Sequence, residues 1–364
     1  MCKKLSFFLA FLFIFFLFSP FVYATSVSAE GAILIEADSG EIIYEKNKDK
    51  KMPMASTTKI MTAVIIIEGG NLEKVVKVPT EAIGIEGSSI YLKEGESFTR
   101  KELLYALLLE SANDAATALA FDFAEGVDDF ATLMNKKAEE LGLKGTQFEN
   151  PHGLDCENHF TTPYDLAILT KYAMSIPIFK EIVSTKKATI GVGESERYLV
   201  NHNKLLRLYE GTNGVKTGFT KKSGRCLVSS CERDGVRLIC VSLNAPNDWN
   251  DHQVLYDLGF SKYESVHLAD KYSYLLEFEV AGGESPVIYA TNDSPLSVTL
   301  PKGESSISAK VIKNENLSAK IKEGETVGKI IFYNYDKEIA TLPLVSVGTV
   351  NKLSKKSFFK GLFK

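Results

Sequence analysis

Between Ala32 and Leu243 the chain begins in strand pattern, turns helical, and returns to strand pattern before it ends. A sequence ordered this way folds as a sheet whose helices are packed on it and inserted into it. Ala32 to Glu36, the turn Asp38-Ser-Gly40 and Glu41 to Glu45 read as strand, turn and returning strand. Ser56 to Glu68 reads as a helix, with Pro53 punctuating the chain ahead of it and Gly69-Gly70 closing it. Val75 to Val78 reads as a short strand. Thr99-Arg-Lys-Glu102 has the pattern of a capping box and opens a helical run to Glu110. Further helices are expected over Ala115 to Phe123 and over Val127 to Leu141, before Gly142. Thr162-Pro-Tyr-Asp165 starts another, with a capping threonine, proline at the first helical position and an acid in the first turn. Strand pattern resumes at Thr212 to Thr220, and Arg225 to Cys231, Arg233-Asp-Gly235 and Val236 to Leu243 form a hairpin. A last helix is expected from Asp251 to Leu258, ended by Gly259.

Beyond Lys262 the pattern changes. Tyr274 to Val280, Val287 to Ala290, Leu296 to Leu300, Ile307 to Ile312, Val327 to Tyr333 and Ile339 to Leu344 are short strands split by turn residues. They predict a small all-β sandwich domain over residues 262–349, following a domain over residues 30–261. At 364 residues the chain is long enough for both, and a net charge of −4 argues against a nucleic-acid binder.

The two ends differ from the rest. Lys3 and Lys4, the apolar run Leu5 to Phe18 and Ser19-Pro20 read as an export signal within residues 1–29. Cleavage after Ala24 or after Ala29 fits the small-residue rule. The bulk of the chain is therefore expected outside the cytoplasm, at the outer face of the membrane. Residues 350–364 carry Lys352, Lys355, Lys356, Lys360 and Lys364, no acid, and Phe358, Phe359, Leu362 and Phe363. Drawn as a helix, this tail is imperfectly amphipathic and suits an anionic membrane surface. Cys156, Cys226, Cys231 and Cys240 are too sparse for a disulfide scaffold, although a bridge among the last three stays open. His152 and His159 bracket Cys156, a faint metal signature, but no spacing describes a metal site and no motif calls for a cofactor.

Three short motifs carry chemistry. Ser56 and Lys59 stand three residues apart near a helix start, where an amine can reach a hydroxyl and take its proton. Ser111-Ala-Asn113 falls at a helix-to-helix turn. Lys216-Thr-Gly218 lies on a strand, where a glycine lets a ligand approach the backbone. Each recurs by chance, as at Ser184/Lys187, Ser242-Leu-Asn244 and Lys222-Ser-Gly224; the ordered trio does not. The glycine-rich loop Gly84-Ile-Glu-Gly-Ser-Ser89 reads equally as a connector or as a wall of a site.

The trio, with Asn150-Pro-His-Gly153, Glu157-Asn-His-Phe-Thr-Thr162 and the hairpin after Lys216, resembles the penicillin-recognising serine acyltransferases. Signal, acyltransferase domain, small β domain and basic tail together resemble the low-molecular-weight D-alanyl-D-alanine carboxypeptidases. The resemblance implies an α/β (α+β) domain like that of β-lactamases, with an antiparallel sheet, and removal of the terminal D-alanine from peptidoglycan stem pentapeptides. It implies Ser56 as the acyl-ester nucleophile, Lys59 as general base, Ser111 as proton relay and Asn113 as a holder of Lys59 and substrate. Lys216, Thr217, Gly218 and Phe219 would bind substrate, the N–H groups of Ser56 and Phe219 forming an oxyanion hole. Phe219 departs from relatives that carry histidine there. β-Lactam antibiotics would acylate the same serine. No Glu-x-x-Leu-Asn element of the β-lactamase kind lies between Asn113 and Lys216.

Overall fold

The computed structural model describes residues 26–353 apart from 304 and 316, so residues 1–25 of the expected export signal and all but the first residues of the tail lie outside the described residues. Five strands form the first sheet: β1 (Gly31–Glu36), β2 (Ile42–Lys46), β7 (Thr212–Thr220), β8 (Gly224–Arg233) and β9 (Val236–Leu243). Their order is β2-β1-β9-β8-β7 and every pairing is antiparallel. Side chains alternate between faces. Ile33, Ile35, Val228, Ile239 and Val241 face one core, while Ala32, Leu34, Leu227, Leu238 and Cys240 face another.

The first face is covered by the helices inserted between β2 and β7. These are α1 (Lys59–Glu68), α2 (Arg100–Leu109), α3 (Asn113–Phe123), α4 (Val127–Glu140), α5 (Pro163–Met174) and α6 (Pro177–Ser184), followed by the short α7 (Leu205–Leu208). The capping box is formed: Thr99 Oγ1 accepts from Glu102 N, and Glu102 Oε2 accepts from Thr99 N at 2.7 Å. Thr162 caps α5 through Asp165 N. Two small ribbons flank the helices, β3 (Val75–Lys77) with β4 (Ser97–Thr99), and β5 (Lys187–Ile190) with β6 (Arg197–Val200). The second ribbon and α6 were not foreseen, because their segments are short.

The opposite face is covered by α8 (Asp248–Lys262). This helix runs through Gly259 rather than stopping there. A Cβ at that position would lie 2.6 Å from Leu238 Cδ1, so the glycine permits close packing of helix on sheet. His252, wholly buried, joins the two layers. Its ring nitrogens stand 2.6 Å from Ser229 Oγ on β8 and 2.9 Å from Ser242 Oγ on β9.

The remaining chain forms β10 (Tyr263–Ala269), β11 (Leu276–Glu279), β12 (Val287–Thr291), β13 (Leu296–Pro301), β14 (Ile307–Lys313), β15 (Thr326–Asn334) and β16 (Lys337–Val347). Five of them make an antiparallel sheet, β11-β12-β16-β15-β14, around a separate core. The expected sandwich is lopsided: its second layer is the ribbon β10-β13 together with irregular segments around Ala319, Ile321 and Val350. β10 was not anticipated.

Burial holds His252 down to about 3, against an ordinary value of 6.5. The unfolded chain takes up a proton there below 6.5 and the folded chain does not, so this contribution is complete above 6.5 and is lost as pH falls. The slope is about 1.4 kcal/mol per pH unit. Thermal melts between pH 7 and pH 5 should therefore show a flatter decline for His252→Gln than for the wild type.

Candidate active site

Ser56 lies in a 3₁₀ turn, Ala55–Thr58, and Lys59 opens α1 directly after it. Residues three apart eclipse each other in such a turn, so amine and hydroxyl share a face. Lys59 Nζ is 3.0 Å from Ser56 Oγ, 2.6 Å from Asn113 Oδ1 and 2.5 Å from His152 O. The Asn113 amide is oriented by its other end: Nδ2 donates to Glu86 O at 2.6 Å, and a carbonyl can only accept.

The Lys59 amine is fully buried, and that burial, reinforced by the Lys216 charge, holds its pKa well below the usual lysine range. Asp114 opposes the shift only in part. Lys216 on β7 is 1% exposed and donates to Thr217 O at 2.9 Å; its burial pulls it down to about 7. Burial disfavours the charged form of both amines, and the Lys216 charge adds to the effect on Lys59 while Glu110 opposes the shift of Lys216.

The Ser56 turn is clamped between two glycines. Ala55 has φ of +46°, a left-handed conformation costly for any residue with a Cβ. Beneath it Gly153, at φ +88°, comes so close that a Cβ there would lie 2.0 Å from Ala55 O. From β7, a Cβ on Gly218 would lie 3.0 Å from Ser56 N. β7 is the edge strand of its sheet, and its free side faces a cleft of about 320 Å³. Ser56, Ser88, Ser111, Thr217, Gly218 and Phe219 line that cleft, with the Phe219 ring 65% exposed. Ser111 occupies the α2–α3 turn with φ of +62°. Seven of the eight residues singled out from the motifs thus meet around one hydroxyl or along one cleft wall, and the eighth, Lys216, reaches the site through its charge on Lys59.

A family model described as D-alanyl-D-alanine carboxypeptidase matches residues 20–247, and one described as penicillin-binding protein 5, C-terminal domain, matches residues 263–352. The chain belongs to the D-alanyl-D-alanine carboxypeptidase family. D-alanyl-D-alanine carboxypeptidase DacF of Bacillus subtilis is 32% identical over 343 residues, spanning 91% of this chain and 88% of the relative. Penicillin binding protein 5 of Haemophilus influenzae has a crystal structure that superposes with a TM-score of 0.69 at 27% identity, covering 91% of this chain and 100% of that one. Penicillin-binding protein D2 of Listeria monocytogenes, solved in its ampicillin-bound form, is 31% identical with a TM-score of 0.59, covering 66% of this chain and 100% of that one.

Two loops complete the site. Gly84 to Ser89, which the sequence left as connector or wall, is a wall: Glu86 O and Ser88 O accept from the Asn113 side chain and backbone, and Ser88 faces the cleft. Asp114, 1% exposed, straps the continuation of that loop through Ser89 Oγ, Ile90 N and Leu92 N. The second loop, Asn150 to His159, presents backbone oxygens to α1, with Pro151 O accepting from Thr62 Oγ1 at 2.6 Å and His152 O accepting from Lys59. His159 Nδ1 accepts from Glu149 N, so its proton sits on Nε2 and is donated to Thr58 Oγ1 at 2.7 Å. Burial holds His159 neutral, down to about 4. The two histidines therefore brace the turn that bears Ser56 and Lys59, and among the described residues no His, Cys, Asp and Glu group has a metal-binding arrangement. The four described cysteines are free, so the disulfide left open above is not formed.

Gly153→Ala should destabilise the protein by at least about 2 kcal/mol in denaturant titration, since it adds a clash to backbone strain. Gly142→Ala, at φ +71° with nothing within 4 Å of its Cβ, carries the strain alone and should cost clearly less.

Proposed function

We propose that this chain is a serine-type D-Ala-D-Ala carboxypeptidase that trims the terminal D-alanine from peptidoglycan stem pentapeptides, and that β-lactam antibiotics acylate the same serine. Family membership supports the reaction, and the contact between a buried, depressed lysine amine and the Ser56 hydroxyl carries the mechanism.

With Lys59 neutral, its two N–H bonds go to Asn113 Oδ1 and His152 O, which only accept, and its lone pair is left for the Ser56 proton. Ser56 Oγ then attacks the carbonyl between the two D-alanines as its proton passes to Lys59. The tetrahedral oxyanion is held by the N–H groups of Ser56 and Phe219, each donor worth roughly 3–4 kcal/mol. Ser111 relays a proton to the departing amine, free D-alanine leaves, and water hydrolyses the ester. Lys216 and Thr217 meet the substrate carboxylate, an anion that raises the proton affinity of Lys216 on arrival. The extended substrate lies along the free edge of β7.

In this reading residues 30–261 are the catalytic domain, 262–349 the β domain and 350–364 a basic amphipathic anchor on an anionic membrane surface. Residues 1–29 direct export to the outer face of the cytoplasmic membrane. Composition supports both terminal assignments.

The purified mature chain should release D-alanine steadily from diacetyl-Lys-D-Ala-D-Ala. Release that stops after one equivalent would point to a sensor, and penicillin hydrolysis much faster than peptide hydrolysis would point to a β-lactamase. Ser56→Ala should abolish covalent labelling by fluorescent penicillin; labelling retained by that variant removes the nucleophile assignment. Lys216→Met should leave the melting temperature unchanged or higher, because a buried charge is removed, while kcat/KM falls. The acid limb of the pH–rate profile should move to higher pH in that variant, since Lys59 loses the neighbour that depresses it.

A further inference from the structure

Far along the chain from the cleft, the β domain carries a groove of about 490 Å³. That is within the roughly 300–1,000 Å³ usual for ligand clefts. One wall is the turn bearing Tyr272, Tyr274 and Leu275; the other is the Glu323–Gly324 turn and the end of β16 at Val347. Tyr272 is 62% exposed, Leu275 67% and Val347 50%, so large apolar groups stand in water with no intramolecular reason to do so.

Both walls are rigid. Asn292, wholly buried, donates to Asp270 O and Ser294 O and accepts from Tyr274 N at 3.1 Å, while its own carbonyl accepts from Tyr272 N. Opposite, Ser346 Oγ donates to Lys322 O at 2.6 Å and Ser346 O accepts from Gly324 N. Rigid walls bind without the ordering cost that a floppy loop carries.

The polar groups of the groove decide the occupant. Asp293 and Glu323 line it, no lysine or arginine does so among the described residues, and the neighbouring Lys271 amine lies 4.7 Å over the Tyr272 ring. Carboxylates accept hydrogen bonds from hydroxyl and amide N–H groups and repel phosphates and carboxylates. Tyrosine rings with an aliphatic floor fit the flat C–H faces of a sugar ring. An anionic lipid surface or an anionic wall polymer would meet the carboxylates of Asp293 and Glu323, with the Lys271 amine beside them on the Tyr272 ring.

We infer that this groove binds a neutral glycan of N-acetylated hexosamines, the strand that bears the stem peptides, as a second site on the chain. The choice of polymer rests on the carboxypeptidase reading; the groove itself does not. A strand held there keeps the enzyme among its substrates and leaves the chemistry at Ser56 unchanged.

The test is titration calorimetry of the purified mature chain with chitohexaose, a soluble neutral N-acetylglucosamine oligomer. The wild type and Tyr272→Phe should bind, and Tyr272→Ala should bind at least about tenfold more weakly, ~1.4 kcal/mol. All three should keep the same melting temperature and the same D-alanine release from diacetyl-Lys-D-Ala-D-Ala. Asp293→Lys with Glu323→Lys should also lose chitohexaose. No binding by the wild type, or equal binding by Tyr272→Ala, overturns the inference, as does Tyr272-dependent binding to phosphatidylglycerol vesicles in place of the sugar. Loss of sugar binding with D-alanine release intact strikes only this inference; absent D-alanine release with sugar binding intact strikes only the carboxypeptidase reading.

Discussion

The site depends on one amine held where water cannot reach it, so that its charged form is disfavoured. A lysine side chain in the core is ordinarily a fault, because its ammonium form loses far more hydration than a single neighbour returns. Here the fault is compounded by design: Lys216 is buried as well, and its charge adds to the desolvation felt by Lys59. Asp114, the nearest opposing carboxylate, is spent on the Ser89–Leu92 loop through its own hydrogen bonds. What stabilises the arrangement lies elsewhere, in the apolar core shared by α1, α2, α3 and α5 on one face of the sheet. The surplus of that core is what permits a destabilised site.

Geometry is enforced by a second constraint that contains no charge. Ala55 sits in a backbone region it would not choose, and the turn stays there because Gly153 and Gly218 close on it from two sides. The polar latches around it act at the same few residues: His159 on Thr58, Pro151 O on Thr62, His152 O on Lys59. Amine and hydroxyl are thereby held at contact distance in the resting protein. No rearrangement of the chain is needed to bring the two groups together.

Much of this was legible in the order of residues. Ser56, Lys59, Ser111, Asn113 and Lys216 announce themselves because each motif falls at a recognisable joint: a helix start, a helix-to-helix turn, a strand. The pairing of helices and strands into two domains followed from hydrophobic period, and the caps at Thr99 and Thr162 formed as written. What stayed hidden has a common cause. Asn150-Pro-His-Gly153 marked its loop, but His152 and Pro151 serve through backbone oxygens, and any residue has one of those, so no side-chain pattern shows what they do. Gly259 was read as a helix stop because glycine usually is one; its use as a gap for Leu238 exists only in three dimensions. β5, β6 and β10 are short or irregularly buried and offer too little alternation to be seen.

β1 lies inside the sheet, with β2 on one side and β9 on the other, and Leu34 pairs with Cys240. A chain that emerges N-terminus first therefore exposes a strand destined to be buried at every position long before β9 arrives, and contacts so distant in sequence form slowly. The same delay governs reactivity. Until Asn113, Gly153 and Lys216 have all been made and docked, Lys59 is an ordinary solvated ammonium and Ser56 an ordinary alcohol. A half-made molecule is inert, and its power to cut arrives all at once, with closure of the sheet.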